Sequence, residues 1–390
     1  VAALDDFTPA SQAEIALAAD ELSPAELKKA RHYGRLNLIC DLADKALDVA
    51  FLAVMALVVA RPLDAWLAGY IAGHTARLAA LVLVVMLAHY AISFPLSFYA
   101  GFVLEHRFGL SHQSLRRWFS RYAKMAALTV GFSLLLWTGL YWVVWLCGGW
   151  WWLAAAGAFF VVGVLLGRLM PVLILPLFFK IEPLENAELS RRMARLAEGT
   201  GLSIAGVYRM GISADTRKAN AMLAGMGRTR RVLMGDTLLN DFTPDEIEVI
   251  FAHEVGHHVF GHIRKMIVLG LVFSAAGFWI CDRLLMSWLA SSAGPVDYGH
   301  LPVYALPLLM LILAVLSLAM MPLANLISRY HERQCDRYAI ERTGLRGAFV
   351  SAFRKLARLN NEDPSPAALE VFLFHDHPSI AQRLALADES

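Results

Sequence analysis

Six stretches of this chain are apolar for long enough, or nearly long enough, to cross a lipid bilayer. They lie at about 46–60, 78–104, 125–147, 150–179, 265–289 and 301–327. A hydrocarbon core of about 30 Å needs about 20 mostly apolar residues in a helix. The first run is short, extended by Leu42 and Ala43 and interrupted by Asp48. Six such runs cannot all hide inside one water-soluble domain of a 390-residue chain. Trp145, Trp150, Trp151 and Trp152 gather between the third and fourth runs, as an interfacial aromatic belt would place them.

Composition agrees. Hydrophobic residues make up 58% and charged residues 17%, against about 45–50% and about 25% in soluble domains. An ordinary soluble enzyme, a disordered chain and a disulfide scaffold are excluded. Cys40, Cys147, Cys281 and Cys335 are far apart and form no CxxC, so neither a disulfide framework nor a cysteine-only zinc site is expected. A net charge of +2 gives no footprint for nucleic acid, and the expected partner is the lipid bilayer. The sequence starts at Val1, so a processed or trimmed start is expected, with no signal peptide visible.

Lysine and arginine set the expected orientation. The segment before the first run carries Lys28, Lys29, Arg31, Arg35 and Lys45, and the 105–124 loop carries Arg107, Arg116, Arg117, Arg121 and Lys124. The 180–264 segment and the chain after 328 are also basic, whereas the 291–300 loop has no lysine or arginine. Basic and non-basic connections alternate, which puts the N-terminus, 180–264 and the C-terminal segment on the cytoplasmic side. The fold class expected is mainly α: a polytopic membrane protein of six spans with a small α+β lobe.

The lobe falls in 180–264. Residues 185–200 read as an amphipathic helix, and strand-like runs lie near 204–212, 219–225 and 231–235, with Gly225, Gly227 and Thr229 in a turn. Ser23-Pro24-Ala25-Glu26 and Thr243-Pro244-Asp245-Glu246 read as capping boxes with proline at the first helical position. The second opens a helix expected from Pro244 through His262. Further helices are expected at 328–343, 346–361 and 378–388.

The helix from Pro244 carries His253-Glu254-Val255-Gly256-His257. At 100° per residue the two histidines lie about 40° apart, one turn along, so both rings can meet one zinc ion. Glu254 lies beside them, placed to take a proton from a metal-activated water. His258 and His262 lie about 140° and about 180° from His253 on the same wheel, and are expected to be polar surface or interfacial residues. A catalytic zinc needs a third protein ligand. Glu332 and Asp336 share a helical face, so Glu332 could bind the metal while Asp336 orients a histidine ring. A merely solvated acidic face beside Arg333 and Arg337 is the plain alternative, and Cys335 is a rival ligand.

HEVGHH, a membrane hairpin and then ExxxD in His331-Glu332-Arg333-Gln334-Cys335-Asp336 together resemble the zinc CAAX prenyl endopeptidases. HtpX-type membrane quality-control proteases are more distantly similar. Pro176-Leu177-Phe178-Phe179-Lys180 with Pro183-Leu184-Glu185, Asn220-Ala221-Met222-Leu223-Ala224-Gly225, Phe108-Gly109-Leu110-Ser111, Arg231-Val232-Leu233 with Asp236-Thr237-Leu238-Leu239, and His377-Pro378-Ser379 with Arg383 resemble the CAAX branch further. The tyrosine of that branch's NAY segment is Met222 here, and the asparagine of its FGFN loop is Ser111. Its eukaryotic members have seven spans, against the six counted here.

The resemblance covers about 80–388. It implies helices enclosing an intramembrane chamber, one zinc ion per chain held by His253, His257 and Glu332, and Glu254 as general base. It assigns Asn220 to substrate backbone, and His377 and Arg383 to the active-site wall near the developing oxyanion. Asp336 is then the orienting carboxylate. Five segments follow: an N-terminal helical segment 1–40, four spans in 41–179, a metalloprotease lobe 180–264 with the HExxH helix, a membrane hairpin 265–327, and a catalytic segment 328–390. The expected substrate is a peptide or protein, membrane-associated or lipid-modified. High alanine and arginine content points to a bacterial inner membrane with the lobe cytoplasmic, or to the endoplasmic reticulum membrane in a eukaryote. Four leading spans favour the CAAX type over the HtpX type. A site-2-type protease would need an aspartate ligand in a later span, which is missing. A binding or transport protein would need an ion relay, which Asp48, His89 and Asp282 do not form.

Overall fold

The structure, a computed structural model, describes residues 22–200, 206–225, 231–294 and 296–389. The expectations for residues 1–21, for the start of the 204–212 strand and for Gly227 and Thr229 lie outside the described residues. The described α-helices are α1 (Pro24–Val54), α2 (Ala60–Ala68), α3 (His74–Phe98), α4 (Glu105–Arg107), α5 (Leu115–Cys147), α6 (Trp151–Leu169) and α7 (Ala187–Ala197). After them come α8 (Asp236–Asp241), α9 (Pro244–Val259), α10 (His262–Ala293), α11 (Leu306–Thr343), α12 (Arg346–Asn360), α13 (Ala368–Phe374) and α14 (Ile380–Glu389). Both capping boxes form: Ser23 and Glu26 close α1, and Thr243 and Glu246 close α9.

Five helical stretches among the described residues are long and apolar enough to cross a membrane: Pro24–Ala68, His74–Arg107, Leu115–Leu177, His262–Ser292 and Val303–Thr343. The count differs from the six expected. The third and fourth apolar runs belong to one stretch of 63 residues, because only a single 3-10 turn, Gly148–Trp150, separates α5 from α6. Straight, that stretch would measure about 95 Å, roughly three bilayer cores. Gly148 is where it bends, at φ 55° and ψ −136°, a conformation open chiefly to glycine. The first run is also longer than expected, since α1 continues through a π-turn at Met55–Val59 into α2. The apolar core of this part joins Leu81 and Val85 of α3, Tyr141 of α5, Trp151 of α6, Phe278 of α10 and Leu309 of α11.

The lobe is built on a four-stranded sheet: β1 (Lys180–Pro183), β2 (Val207–Gly211), β3 (Ala221–Ala224) and β4 (Arg231–Gly235), in the order β1-β2-β4-β3. β2 and β4 are parallel, with Val207 opposite Val232, and the other two pairs are antiparallel. Val232, Leu233 and Met234 are fully buried, as suits a central strand covered on both faces. β3 is left as an edge. The sheet packs with Leu189 and Met193 of α7, Phe251 of α9, Ile340 of α11 and Phe353 of α12. α11 therefore serves two cores, apolar at its start and part of the lobe at its end. The short elements β1, α8 and α13 were not expected.

Helix α9 stops at Val259, short of the expected His262. Gly261, at φ 64°, reverses the helical course, and α10 starts afresh at His262. The loop after α4 ties the spans to the lobe. Arg217 N–H and the Thr216 hydroxyl donate to Leu110 O at 3.0 and 2.9 Å, and Arg117 and Arg121 both pair with buried Asp215.

Asp236 pins the turn after β4 to the turn after β2. Its carboxylate accepts from Ile212 N (2.9 Å), Ser213 N (2.8 Å) and the Ser213 hydroxyl (2.6 Å). Burial works against its charge, but these donors and Arg209 outweigh burial and hold its pKa below the ordinary carboxylate value. A folded pKa below the unfolded one adds stability above the unfolded value of about 3.9, and that stability is lost as pH falls through the folded pKa. Asp236→Ala is expected to cost about 1.5–3 kcal/mol. Thermal melts in detergent should show a clear loss at neutral pH that narrows below about pH 4. An unchanged melting temperature at neutral pH would refute the role of this carboxylate.

Candidate metal centre and peptide cleft

His253 and His257 reach one point from the same face of α9, and Glu332 reaches it from α11. His253 Nε2 lies 3.1 Å from Glu332 Oε2, and His257 Nε2 lies 3.2 Å from Glu332 Oε1. Gly256 allows this approach. A Cβ there would stand 3.1 Å from Cys335 Cα, tighter than most packed atoms, so the helices would have to give by a few tenths of an ångström. Behind His253, Asp336 Oδ1 accepts from Nδ1 at 2.9 Å. Arg383 in turn donates to Asp336 from Nε at 2.9 Å and from its terminal nitrogen at 2.5 Å, and stacks 3.9 Å above the Phe353 ring.

The electrostatics favour a cation at this point. Burial opposes a charge on His253, yet the Asp336 and Glu332 carboxylates prevail and raise its pKa to about 9. Glu332 Oε2 is buried and accepts no hydrogen bond among the described residues. Two imidazole Nε2 atoms facing a carboxylate with an unsatisfied oxygen are the donor set of a hydrolytic divalent-metal site. Cys335 also comes within 4.8 Å of ring atoms of both histidines. Its sulfur, however, lies 3.6 Å from His262 Nδ1, the atom that meets His257 Nδ1, so it approaches from behind the ring. We therefore take Glu332 as the third candidate ligand.

Glu254 stands on the wall of a cavity of about 620 Å³ that Asn220, Glu332 and His377 also line. Its Oε2 accepts from Leu223 N at 3.1 Å. Asn220 O accepts from Gly235 N, so in the antiparallel ladder Ala221 and Leu223 turn their backbone groups to the free edge of β3. The candidate base is thus hydrogen-bonded to the strand edge that a peptide would pair with. Asn220 is exposed at the junction with a second, largely apolar cavity of about 740 Å³, whose walls include Trp118, Met170, Phe178 and Met222.

His377 lies 3.4 Å from Glu332 Oε2 and is half-exposed, while Asp376, hydrogen-bonded to its Nδ1 at 2.8 Å, raises its pKa. Its segment is held by buried Asn325 and Arg329 of α11, which donate to the carbonyls of Leu373 and Val371 at 2.8 Å. The structure thus gathers all eight expected site residues. Arg383 and His377 both line the cavity: the Arg383 guanidinium is hydrogen-bonded to Asp336 and 3.9 Å from Glu332 Oε2, and His377 Nε2 lies 3.4 Å from that same oxygen.

The contacts that sequence reasoning missed are the Leu223 amide on Glu254 and the ring of His262. His262 is 2% exposed and touches His257, against the surface position expected for it. The wheel arithmetic fails beyond Val259 because Gly261 ends the helix on which it depends. Reading Gly261 as a helix stop was the available signal.

Comparison with known proteins bears on the whole chain. A family model described as Peptidase family M48 matches residues 183–390, and one described as CAAX prenyl protease N-terminal, five membrane helices, matches residues 11–180. The chain is 28% identical to the uncharacterized metalloprotease YhfN of Bacillus subtilis over 94% of its own length and 87% of that protein's. It is 28% identical to CAAX prenyl protease 1 of Saccharomyces cerevisiae, over 76% of this chain and 69% of that one. A crystal structure of S. mikatae Ste24p superposes with a TM-score of 0.77 at 25% identity, covering 95% of this chain and 90% of that chain. With a metal-binding cluster in the matched region and membrane-capable helices on either side of the sheet lobe, the chain belongs to peptidase family M48 and is a multi-pass membrane metalloendopeptidase.

Proposed function

We propose that this protein is a zinc endopeptidase that cleaves peptides of membrane-associated, CAAX-like substrates, with its lobe on the cytoplasmic side of a bacterial inner membrane. The observation that carries the reading is the meeting of His253 Nε2, His257 Nε2 and Glu332 beside Glu254 on one cavity wall. Zinc bound by these three side chains supplies a Lewis acid that polarises the scissile carbonyl and brings a water's pKa towards about 7.

The chain's own groups do the rest. The free edge of β3 and Asn220 hold the peptide extended by strand pairing. Glu254, oriented by the Leu223 amide, takes the proton of the attacking water as its oxygen bonds to the carbonyl carbon, then passes it to the amine as the C–N bond breaks. His377 donates to the oxyanion. Asp336, held by Arg383, keeps His253 in the tautomer that presents Nε2. The apolar cavity next to Asn220 and Met222 supports a lipid-modified or strongly apolar group on the substrate, as does similarity to a protein named CAAX prenyl protease 1.

Purified protein is expected to hold about one zinc per chain. Glu332→Ala should lose most of it and Cys335→Ser should keep it, by elemental analysis. The reverse pattern would transfer the third ligand to the thiol.

Glu254→Gln keeps the size and hydrogen-bonding capacity of the base but cannot accept a proton. Zinc content and melting temperature should stay unchanged while peptide cleavage, followed by mass spectrometry, falls by about 10²–10⁴ or more. Wild-type cleavage by the metal-replete variant would remove the mechanism.

Reporter fusions after Thr200 and Ser390 should both read cytoplasmic, and one near Ser292 external, given the alternation of basic connections. Opposite readings at Thr200 and Ser390 would invalidate the orientation.

A further inference from the structure

His253 and His257 are backed differently. Behind His253 stands a carboxylate, Asp336, at 2.9 Å. Behind His257 stands a second histidine: His262 Nδ1 lies 3.2 Å from His257 Nδ1. The far nitrogen of His262, Nε2, lies 3.0 Å from Gln334 Oε1, and the Gln334 amide nitrogen donates to the Tyr330 hydroxyl at 3.3 Å. The His262 ring is clamped flat on His331, with centroids 4.0 Å apart and planes 15° from parallel.

Two facing ring nitrogens at 3.2 Å can form a hydrogen bond only if one carries a proton and the other a lone pair. If His257 Nε2 is to offer its lone pair towards Glu332, its proton sits on Nδ1. His262 Nδ1 must then accept, which places the His262 proton on Nε2, where Gln334 Oε1 receives it. Gln334 in this orientation also gives its amide nitrogen to the Tyr330 hydroxyl. With His257 as a ligand, each assignment then follows from the one before, and every donor in the chain meets an acceptor. The opposite His262 tautomer would set two N–H groups face to face.

We propose that His262 and Gln334 form a neutral relay that fixes the tautomer and ring orientation of His257 as a metal ligand. They are positioning residues and touch neither substrate nor metal. The proposal rests on the reading of His257 as a ligand, and it gives the site two unlike supports, an ionised one on His253 and an uncharged one on His257. An uncharged support polarises its imidazole less, so the relay contributes mainly orientation. Gly261 makes it possible: continuing α9 would have carried residue 262 to the far side of the helix, and the left-handed glycine returns it to the back of His257.

The test measures zinc affinity, by chelator competition on the full-length chain in detergent, with the melting temperature as a check on folding. His262→Phe keeps a flat ring against His331 but offers no nitrogen, and should weaken zinc binding about 10–100-fold. His262→Asn places a carbonyl oxygen near the position of Nδ1 and should restore most of the loss. Gln334→Met, at a half-buried position, removes the acceptor for Nε2–H and should weaken binding in the same direction by less. Because that variant disturbs little packing, it decides the matter if His262→Phe fails to fold. Wild-type affinity in Gln334→Met together with wild-type affinity or misfolding in His262→Phe would overturn the relay, as would equal loss in the Phe and Asn variants. A wild-type chain with no zinc affinity would overturn the ligand reading itself, a result distinguishable from either.

Discussion

The approach of α9 to α11 is the constraint on which the rest of the site depends. Three candidate ligands on two helices meet only if the backbones come closer than side chains ordinarily allow, and Gly256 against Cys335 supplies that closeness. Once the helices touch, Glu332 faces both histidines and Asp336 faces His253, four residues along the same helix. Two buried carboxylates are costly unless countered; Arg383 supplies a positive charge within hydrogen-bonding distance of Asp336, and the candidate metal would supply one to Glu332. The C-terminal helix α14, which brings Arg383, thus contributes to the candidate metal centre alongside the HExxH helix.

What the sequence disclosed depended on how local its signals were. Helix periodicity over one turn put His253 with His257, and Glu332 with Asp336, on shared faces, as they stand in the structure, because each pair sits within a single unbroken helix. Both capping boxes were readable because Ser23 with Glu26 and Thr243 with Glu246 need only three residues of spacing. The inference failed at Gly261, where a left-handed residue reset the helical phase and turned His262 from the surface to the interior. At Gly148 the runs expected at 125–147 and 150–179 do meet at a change of direction, and only the shortness of the link makes them one helical stretch and alters the count. The reset at Gly261 is what periodicity does not record.

Other features were illegible because they depend on partners distant in sequence. The Leu223 amide reaches Glu254 only after β3 has paired with β4 and left one edge free. The placement of Arg383 and His377 depends on the buried anchors of α11, Asn325 and Arg329, which fix the course of the chain between α13 and α14. The family resemblance named these residues as a group, and only the packing shows that Arg383 is hydrogen-bonded to Asp336 while His377 is hydrogen-bonded to Asp376.

α11 runs for 38 residues, about 57 Å, from its apolar start into the lobe core. A rigid rod of that length would act as a lever. Bilayers differ in thickness, and a spanning helix answers by tilting. A tilt of about 5° would swing the far end of such a rod by about 5 Å, far more than a metal site tolerates. Pro322 interrupts the rod between its apolar start and Glu332, and with no N–H to give it leaves one carbonyl of the preceding turn without its helical bond. The helix therefore has a point of reduced stiffness within its apolar run, ahead of Asn325, Arg329 and Glu332. After that point Asn325 and Arg329 donate to the carbonyls of Leu373 and Val371, and Asp336 is held by Arg383. A bend at Pro322 would take up a change of tilt before it reached Glu332.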